Sequence, residues 1–365
     1  MQRNVAVVFG GVSNENEISV ITGTMAANVL KNGGDTVIPL YISQKGEIFT
    51  GAGLADISNF KQGNYSVFPR AIIGAGGIYV LNKRGRPKKF VKVDVALNCC
   101  HGGLGEGGGI CGLFALNGIP LASAGMFESA AFMDKYFTKL VLTALGVTVA
   151  PYVYIRNSAD FARAEELGYP LIVKPATLGS SIGVERADDR ERLEEAVQTA
   201  FVYDDGVIAE KYLSDRREIN CAAYFAEGRV VTSECEEAVT DGDILSYDDK
   251  YAGGGKSVLP ADIPKVKSDA VKAITSSVYK KLNMRGIVRF DFIISGGEIY
   301  LSEINTVPGS LSYYLLSGGF KDFYPVLRAV IVQAEEDFKK AHGKKILTTG
   351  ILNNLPSNSC KRGSK

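Results

Sequence analysis

Two apolar runs rich in Ile, Val and Phe, separated by a Gly-Gly pair, constrain this chain more than any other stretch. Val288-Arg289-Phe290-Asp291-Phe292-Ile293-Ile294 and Glu298-Ile299-Tyr300-Leu301-Ser302-Glu303-Ile304-Asn305 flank Ser295-Gly296-Gly297. That pattern predicts an antiparallel hairpin. Side chains alternate faces along a strand, so Arg289 and Asp291 share one face, and so do Glu303 and Asn305. A three-residue loop over 295–297 puts Arg289 opposite Glu303 and makes the two faces one. Asp291 is then diagonal to Glu303, about 5–8 Å away at Cβ. Hard oxygen donors suit Mg²⁺, which is usually held by one or two carboxylates plus substrate phosphates. A solvated polar face is the competing expectation from the hairpin alone.

The totals exclude several classes. A length of 365 residues predicts two or three domains. Lys and Arg total 41 against 40 Asp and Glu, so no global field recruits nucleic acid or an anionic membrane. No apolar run is long enough to span a bilayer. The first strand begins at Asn4 with no signal-peptide pattern, so a cytoplasmic setting is expected. The six cysteines (99, 100, 111, 221, 235 and 360) fit neither a zinc spacing nor a disulfide framework, and read as buried reduced thiols.

The first segment alternates strand and helix. Strand Val5–Phe9 enters Gly10-Gly11-Val12-Ser13-Asn14-Glu15-Asn16-Glu17. A helix with an apolar stripe at Ile18, Ile21, Met25 and Val29 follows, closed by Gly33-Gly34. Asn14 and Glu17 resemble a capping box, which leaves Glu15 at the helix start. Strand Thr36–Ile42, an irregular stretch to about Lys89, strand Val93–Asn98 and a glycine-rich turn from His101 to Gly109 complete an open α/β layer whose loops face one crevice. The G-x-G-x-x-G dinucleotide pattern is missing, so no NAD binding is expected.

A second segment opens near Ser123, with a helix over Ala130–Leu145 carrying Lys135 and Lys139 on one face. Strand Pro170–Lys174 leads into Pro175-Ala176-Thr177-Leu178-Gly179-Ser180-Ser181-Ile182-Gly183. Exposed N–H groups beside a strand-end lysine suit phosphates. Strand Val207–Glu210 ends in Glu210-Lys211-Tyr212-Leu213, able to hold an adenine, and Glu218 could accept ribose hydroxyls. The pattern loosens from Glu237 to Ile263, where Tyr and Lys between glycines suggest a lid. A helix over Asp269–Leu282 precedes the hairpin, and a last helix spans about Tyr324–Lys340.

Taken together, these stretches resemble the D-alanine–D-alanine ligases of the ATP-grasp superfamily. The matching runs are Gly10-Gly11-x-Ser13-x-Glu15-x-Glu17-x-Ser19, His101-Gly102-x-x-Gly105-Glu106, Met133-Asp134-Lys135, Val173-Lys174-Pro175 with Gly179-Ser180-Ser181-x-Gly183, Glu210-Lys211-x-Leu213, Tyr247-x-x-Lys250-Tyr251, Arg289-x-Asp291, and Glu303-x-Asn305-Thr306-x-Pro308-Gly309. They run in the family's order from about Val5 to Lys340.

The resemblance implies an α/β protein with an N-terminal open α/β (Rossmann-like) domain followed by a two-domain ATP-grasp fold. The expected division is 1–122 for substrate binding, 123–210 and 211–342 for the ATP-grasp pair with a lid at 237–263, and a poorly packed tail at 343–365. Lys135, Lys174, Ser181 and Lys250 would meet phosphates, and Glu210, Lys211, Leu213 and Glu218 the adenosine. Asp291, Glu303 and Asn305 would hold two Mg²⁺, or Mn²⁺ in their place. Glu15, linked to Ser180 and Tyr251, would anchor the first amino acid's ammonium. Arg289 and the turn after His101 would meet the oxyanion, and Tyr314 and Leu315 the second substrate. A homodimer is expected, with small amino acids as partners and neither nucleic acid nor membrane.

The chain departs from the family pattern at three places. Glu106-Gly107-Gly108 replaces Glu-Asp-Gly, Cys111 replaces Gln, and Tyr314 stands where the family carries a serine that helps hold the second carboxylate. Two further expectations are therefore open: a ligase using D-serine, D-lactate or another second substrate, and a nucleotide-binding relative without ligase activity.

Overall fold

The computed structural model describes residues 2–61, 63–239, 256–345 and 347–354. Parallel strands Thr36–Ile42, Asn4–Gly10, Val95–Asn98 and Leu121–Ala122 form most of the first sheet, with Ile48–Thr50 antiparallel at one edge. The chain leaves the central strand Asn4–Gly10 toward one side and returns on the other. The loops after Gly10 and Asn98 therefore open a crevice at a point of reversed strand order.

Helix Asn16–Asn32 covers this sheet, only partly through the expected apolar stripe: Val29 is buried in the core and Met25 packs against it, but Ile21 is 45% exposed. The rest of the buried face includes Ser19, Val20, Thr22, Gly23, Ala26, Ala27 and Leu30. Small side chains let the helix lie close to the strands. A Cβ on Gly23 would come within 2.2 Å of the Phe9 ring, so glycine is required there. Phe9 packs in turn against Tyr41 and Phe60. Fully buried Phe9 contributes about 2–3 kcal/mol relative to exposure. The expected capping box is also absent: Glu15, not Asn14, sits at the N-cap position.

The stretch expected to be irregular contains a three-stranded antiparallel sheet, Ala71–Gly74, Gly77–Leu81 and Pro87–Lys92. Its hairpin signal was present in two short Ile/Val runs around Gly74-Ala75-Gly76.

The helix expected over 130–145 is two helices, Met126–Met133 and Lys135–Ala144. Asp134 breaks them by capping the second, with its carboxylate accepting from the N–H groups of Tyr136 (2.7 Å) and Phe137 (3.1 Å). Next comes an antiparallel sheet in the order Glu185–Ala187, Leu171–Pro175, Val207–Lys211, Tyr152–Ile155, backed by helix Arg190–Phe201.

The largest sheet runs Lys256–Val258, Glu236–Val239, Arg217–Ala226, Val288–Ser295, Glu298–Asn305, with Arg229–Thr232 pairing beside it. Helix Lys265–Lys281 packs on its back through Val271, Thr275 and Val278. The hairpin turn is tighter than expected: Ser295 pairs with Glu298, leaving only Gly296-Gly297 between the strands. A two-residue turn alone would put Asp291 and Glu303 on opposite faces, because a one-residue slip flips every side chain. A bulge beside Asp291 restores the face. Arg289 is therefore opposite Asn305, and Asp291 is directly opposite Glu303 rather than diagonal to it.

Candidate active site

Three of the four sheets converge on a cleft of about 530 Å³. One wall is the front of the largest sheet, where the register aligns Glu236, Asn220, Asp291 and Glu303 in a row across four strands. Arg289 and Asn305 form the adjoining pair on the same face. Arg289 holds Asp291 through two hydrogen bonds of 2.7 and 2.8 Å, and Asn305 Nδ2 donates to the same carboxylate at 2.9 Å. Lys135, at the start of its helix, lies 3.7 Å from Glu303 and donates to the Leu178 carbonyl.

The opposite wall is built on buried charge. Lys139 is fully buried and lies 3.1 Å from Glu210; Lys174 lies 2.8 Å from the same Glu210 oxygen. Burial alone would raise the Glu210 carboxyl, but the two ammonium groups hold it down to about 2. Burial likewise lowers Lys139, and Glu210 offsets part of that. Lys174 and Glu210 therefore meet each other, although they were expected to meet phosphate and adenine separately. Ser181, Lys211, Leu213 and Glu218 also line this part of the cleft, and Arg216 lies 3.1 Å from Glu218.

The loop after Leu171–Pro175 is tied down at Thr177, whose N–H and hydroxyl both donate to Asp204 (2.6 and 2.8 Å). It continues through Ser180 and Ser181, both with left-handed backbone (φ 55° and 58°). Ser180 Oγ donates to Glu15, so this loop closes onto the N-terminal crevice. Gly102 also abuts Glu15. Its φ is +65°, and a Cβ there would lie 2.6 Å from the carboxylate, so the turn needs glycine.

His101 is buried, with Nε2 2.8 Å from Thr22 Oγ1, which accepts from Ser310 N–H at 2.9 Å. Burial, together with the charge of Arg289, pushes His101 down to about 4, against a hydrogen bond with the Val307 backbone. The imidazole is therefore neutral at physiological pH.

Glu106 bridges the glycine turn and the chain after the hairpin, accepting from Gly102 N–H at 3.0 Å and Val307 N–H at 3.2 Å. Burial pushes it up to about 7. The negative neighbours Glu15 and Glu303 add to that rise, and the two N–H groups oppose it.

Tyr314 lines the cleft within hydrogen-bond reach of Arg289 and near Glu236. Burial raises its phenol and Arg289 lowers it, with a net upward shift. Leu315, expected with the second substrate, is buried and is not among the cleft-lining residues. Lys250 and Tyr251 lie outside the described residues, as does most of the expected lid.

Glu106 and Lys139 stand in the sequence beside recognised positions, and a bridging or charge-pairing role for them has no sequence signature. Glu236 and Asn220 become visible only when the register places them beside Asp291. Among the described residues, no three His, Cys, Asp or Glu side chains converge as a metal cluster. The candidate donor set is two carboxylates and an amide.

The comparisons decide the family. The D-ala D-ala ligase N-terminus model matches residues 4–124, and the D-ala D-ala ligase C-terminus model matches residues 141–320. The chain belongs to the D-alanine–D-alanine ligase family. It is 37% identical to the D-alanine–D-alanine ligase of Thermosipho africanus, over 93% of this chain and 95% of that one. It is 36% identical to that of Thermosipho melanesiensis, over 96% and 98%. The crystal structure of the Helicobacter pylori ligase superposes with a TM-score of 0.75 at 27% identity, covering 91% of this chain and 98% of that one. The Coxiella burnetii ligase shares the fold, with a TM-score of 0.80 at 22% identity, covering 93% and 96%. The family's architecture is the ATP-grasp fold expected from the sequence. Among the described residues, no helix is long and apolar enough to cross a membrane.

Proposed function

We propose that this protein is an ATP-dependent, ADP-forming ligase that joins two D-alanines into D-alanyl-D-alanine, for peptidoglycan precursors, through an acyl-phosphate intermediate. The observation that carries the reading is the pairing of Asp291 with Glu303 beside Arg289, in a cleft also lined by Lys135, Lys174 and Glu15. A carboxylate does not react with an amine at neutral pH, because oxide is its leaving group.

The donor chemistry fits Mg²⁺. Asp291 and Glu303 offer hard oxygens with the Asn305 amide between strands. A carboxylate has about four lone-pair sites, and three bonds from Arg289 and Asn305 leave Asp291 capacity for a cation. Bound Mg²⁺–ATP supplies the phosphoryl group that turns the first carboxylate into a reactive acyl phosphate. Lys135, Lys174, Ser181 and Lys250 neutralise phosphate charge, while Glu210, Lys211, Leu213 and Glu218 hold the adenosine end. Glu15, fixed by Ser180, holds the first ammonium, and Tyr251 would join that pair. Arg289 and N–H groups of the turn after His101 stabilise the oxyanion when the second amine attacks.

In this reading the chain divides into 1–122, 123–210 and 211–342, with 237–263 as the lid and 343–365 as a tail. Use of ATP supports a cytoplasmic setting. Exposed Leu104, Leu116, Met126 and Phe127 support a homodimer.

The test is mass spectrometry of products from ATP, Mg²⁺ and mixed D- and L-amino acids, with ADP release followed in parallel. D-alanyl-D-alanine is the expected product, and Asp291→Ala should abolish ADP formation. ATP binding without ADP release for any amino-acid pair would refute the ligase reading. Near-normal turnover in Asp291→Ala would refute the metal assignment. Tyr314 beside Arg289 favours one second reading, a ligase with D-serine, D-lactate or another second substrate. A panel of second substrates separates the two.

A further inference from the structure

On the back of the largest sheet, two thiols face each other. The register pairs Asn220 with Glu236; Cys221 follows Asn220 within its strand, and Cys235 immediately precedes strand Glu236–Val239. Neighbours along a strand point to opposite faces, so Cys221 lies behind the cleft wall, and Cys235 packs into the same buried cluster. Both are buried in the cluster that also holds Val271, Val278 and Tyr279. Each thiol shifts the titration of the other, as groups packed in one cluster do.

The surroundings of the two sulfurs differ. Cys235 accepts from Ser268 Oγ at 3.5 Å, and Ser268 lies in the first turn of helix Lys265–Lys281. Lys272, one turn on and paired with Glu234 at 2.6 Å, adds positive charge. The hydrogen bond from Cys221, then Ser268 and Lys272, hold the Cys235 thiol down to about 7 against the effect of burial. Cys221 lies deeper, with Ser233 Oγ 3.8 Å from its sulfur, and stays well above the ordinary range because of its bond to Cys235 and its burial. Helix N-termini and lysines favour a thiolate in this way.

We propose that Cys221 and Cys235 form a reversible dithiol–disulfide site, with Cys235 the attacking thiolate and Cys221 the resolving thiol. The oxidant class is a peroxide. Cys235 Sγ attacks one peroxide oxygen; an S–O bond forms, the O–O bond breaks and hydroxide leaves, giving a sulfenic acid. Cys221 Sγ then attacks that sulfur; the S–S bond forms, the S–O bond breaks, and the oxygen leaves as water with the Cys221 proton. Two thiols and one hydrogen peroxide become one disulfide and two waters.

Both thiols are buried, and Ser268, which donates to Cys235 from the first turn of the covering helix, is only half-buried, so a peroxide would enter on that side. Residues directly opposite across strands have Cβ atoms about 4.5–5.5 Å apart, whereas a disulfide needs about 3.8 Å. Oxidation therefore draws the two strands together beneath Asn220 and Glu236, which line the cleft beside Asp291. The oxidation state of the back face is thereby transmitted to the front.

The test treats the full chain with graded hydrogen peroxide, blocks remaining thiols by alkylation, and maps peptides without reduction. The expected first product is a linked peptide pair containing Cys221 and Cys235, reversed by dithiothreitol. Cys221→Ser should stall as a sulfenic acid at Cys235, trapped by dimedone; Cys235→Ser and Cys235→Ala should form no link. Oxidation of Cys99, Cys100 or Cys111 before this pair, or the absence of a 221–235 link, overturns the site. ADP release should change several-fold on oxidation and not in Cys235→Ala. That readout rests on the ligase reading, whereas the peptide map does not. A link that leaves ADP release unchanged overturns the transmission to the cleft alone.

Discussion

Replacing Glu106 with glutamine should remove a pH-dependent term from the stability of this protein. The ordinary value for such a carboxyl is 4.5, and burial between the glycine turn and the Val307 backbone raises it to about 7. Between those two values the folded chain keeps a proton that the unfolded chain has released. Unfolding then releases a proton, and stability falls as pH rises. At about 1.4 kcal/mol per pH unit, the gap amounts to about 3 kcal/mol, fully present below pH 4.5 and lost by pH 7. His101 works the other way, because its lowered value removes stability as pH falls from 6.5 toward about 4. The two slopes partly cancel in the wild type, so the difference from Glu106→Gln isolates the carboxyl. The amide should cost about 1 kcal/mol at pH 4.5, since its NH₂ must face one of the two N–H donors. It should then gain about 3 kcal/mol relative to wild type by pH 7.5. Urea unfolding of both proteins from pH 4.5 to 8, with EDTA present, measures this difference. A constant difference across the range would refute the argument. A variant that loses ground as pH rises would show that Glu106 is ionised in the fold at acid pH.

Three further outcomes follow from the same contacts. Lys139→Ala leaves a cavity and removes one of two charges facing buried Glu210; it should cost about 3–5 kcal/mol, read from the urea midpoint. Asp134→Ala removes the cap that starts the Lys135 helix, which should cost about 1 kcal/mol and weaken ATP binding measured by calorimetry. In NMR titration, His101 should stay neutral from pH 8 down to pH 5; a His101 midpoint near 6.5 would contradict the burial argument.

The sequence carried the fold class and most elements because the runs around Val5–Phe9, Thr36–Ile42 and Val288–Asn305 combine period-two patterning with glycine turns. Other features depended on contacts between distant residues. On the first long helix the stripe expectation holds at Val29 and Met25 but not at Ile21, because small residues such as Gly23 bring the helix close to Phe9. The break at Asp134 was hidden because both flanking helices share one apolar pattern. For the site, residue types on the hairpin were readable, but partners were not. Register depends on a bulge that no local pattern announces. The pairing of Lys174 with Glu210 depends on two antiparallel strands whose alignment no spacing rule gives.

That bulge limits how the hairpin can change length over evolutionary time. Where the strands re-register to keep a two-residue turn, deleting or inserting a single residue at the Gly296-Gly297 tip would swing Asp291 and Glu303 to opposite sides of the sheet. Only a simultaneous gain or loss of the extra residue near Ser302 would bring them back. Tip and kink must therefore vary as a pair, with an even total change, in any descendant that keeps its two acids side by side.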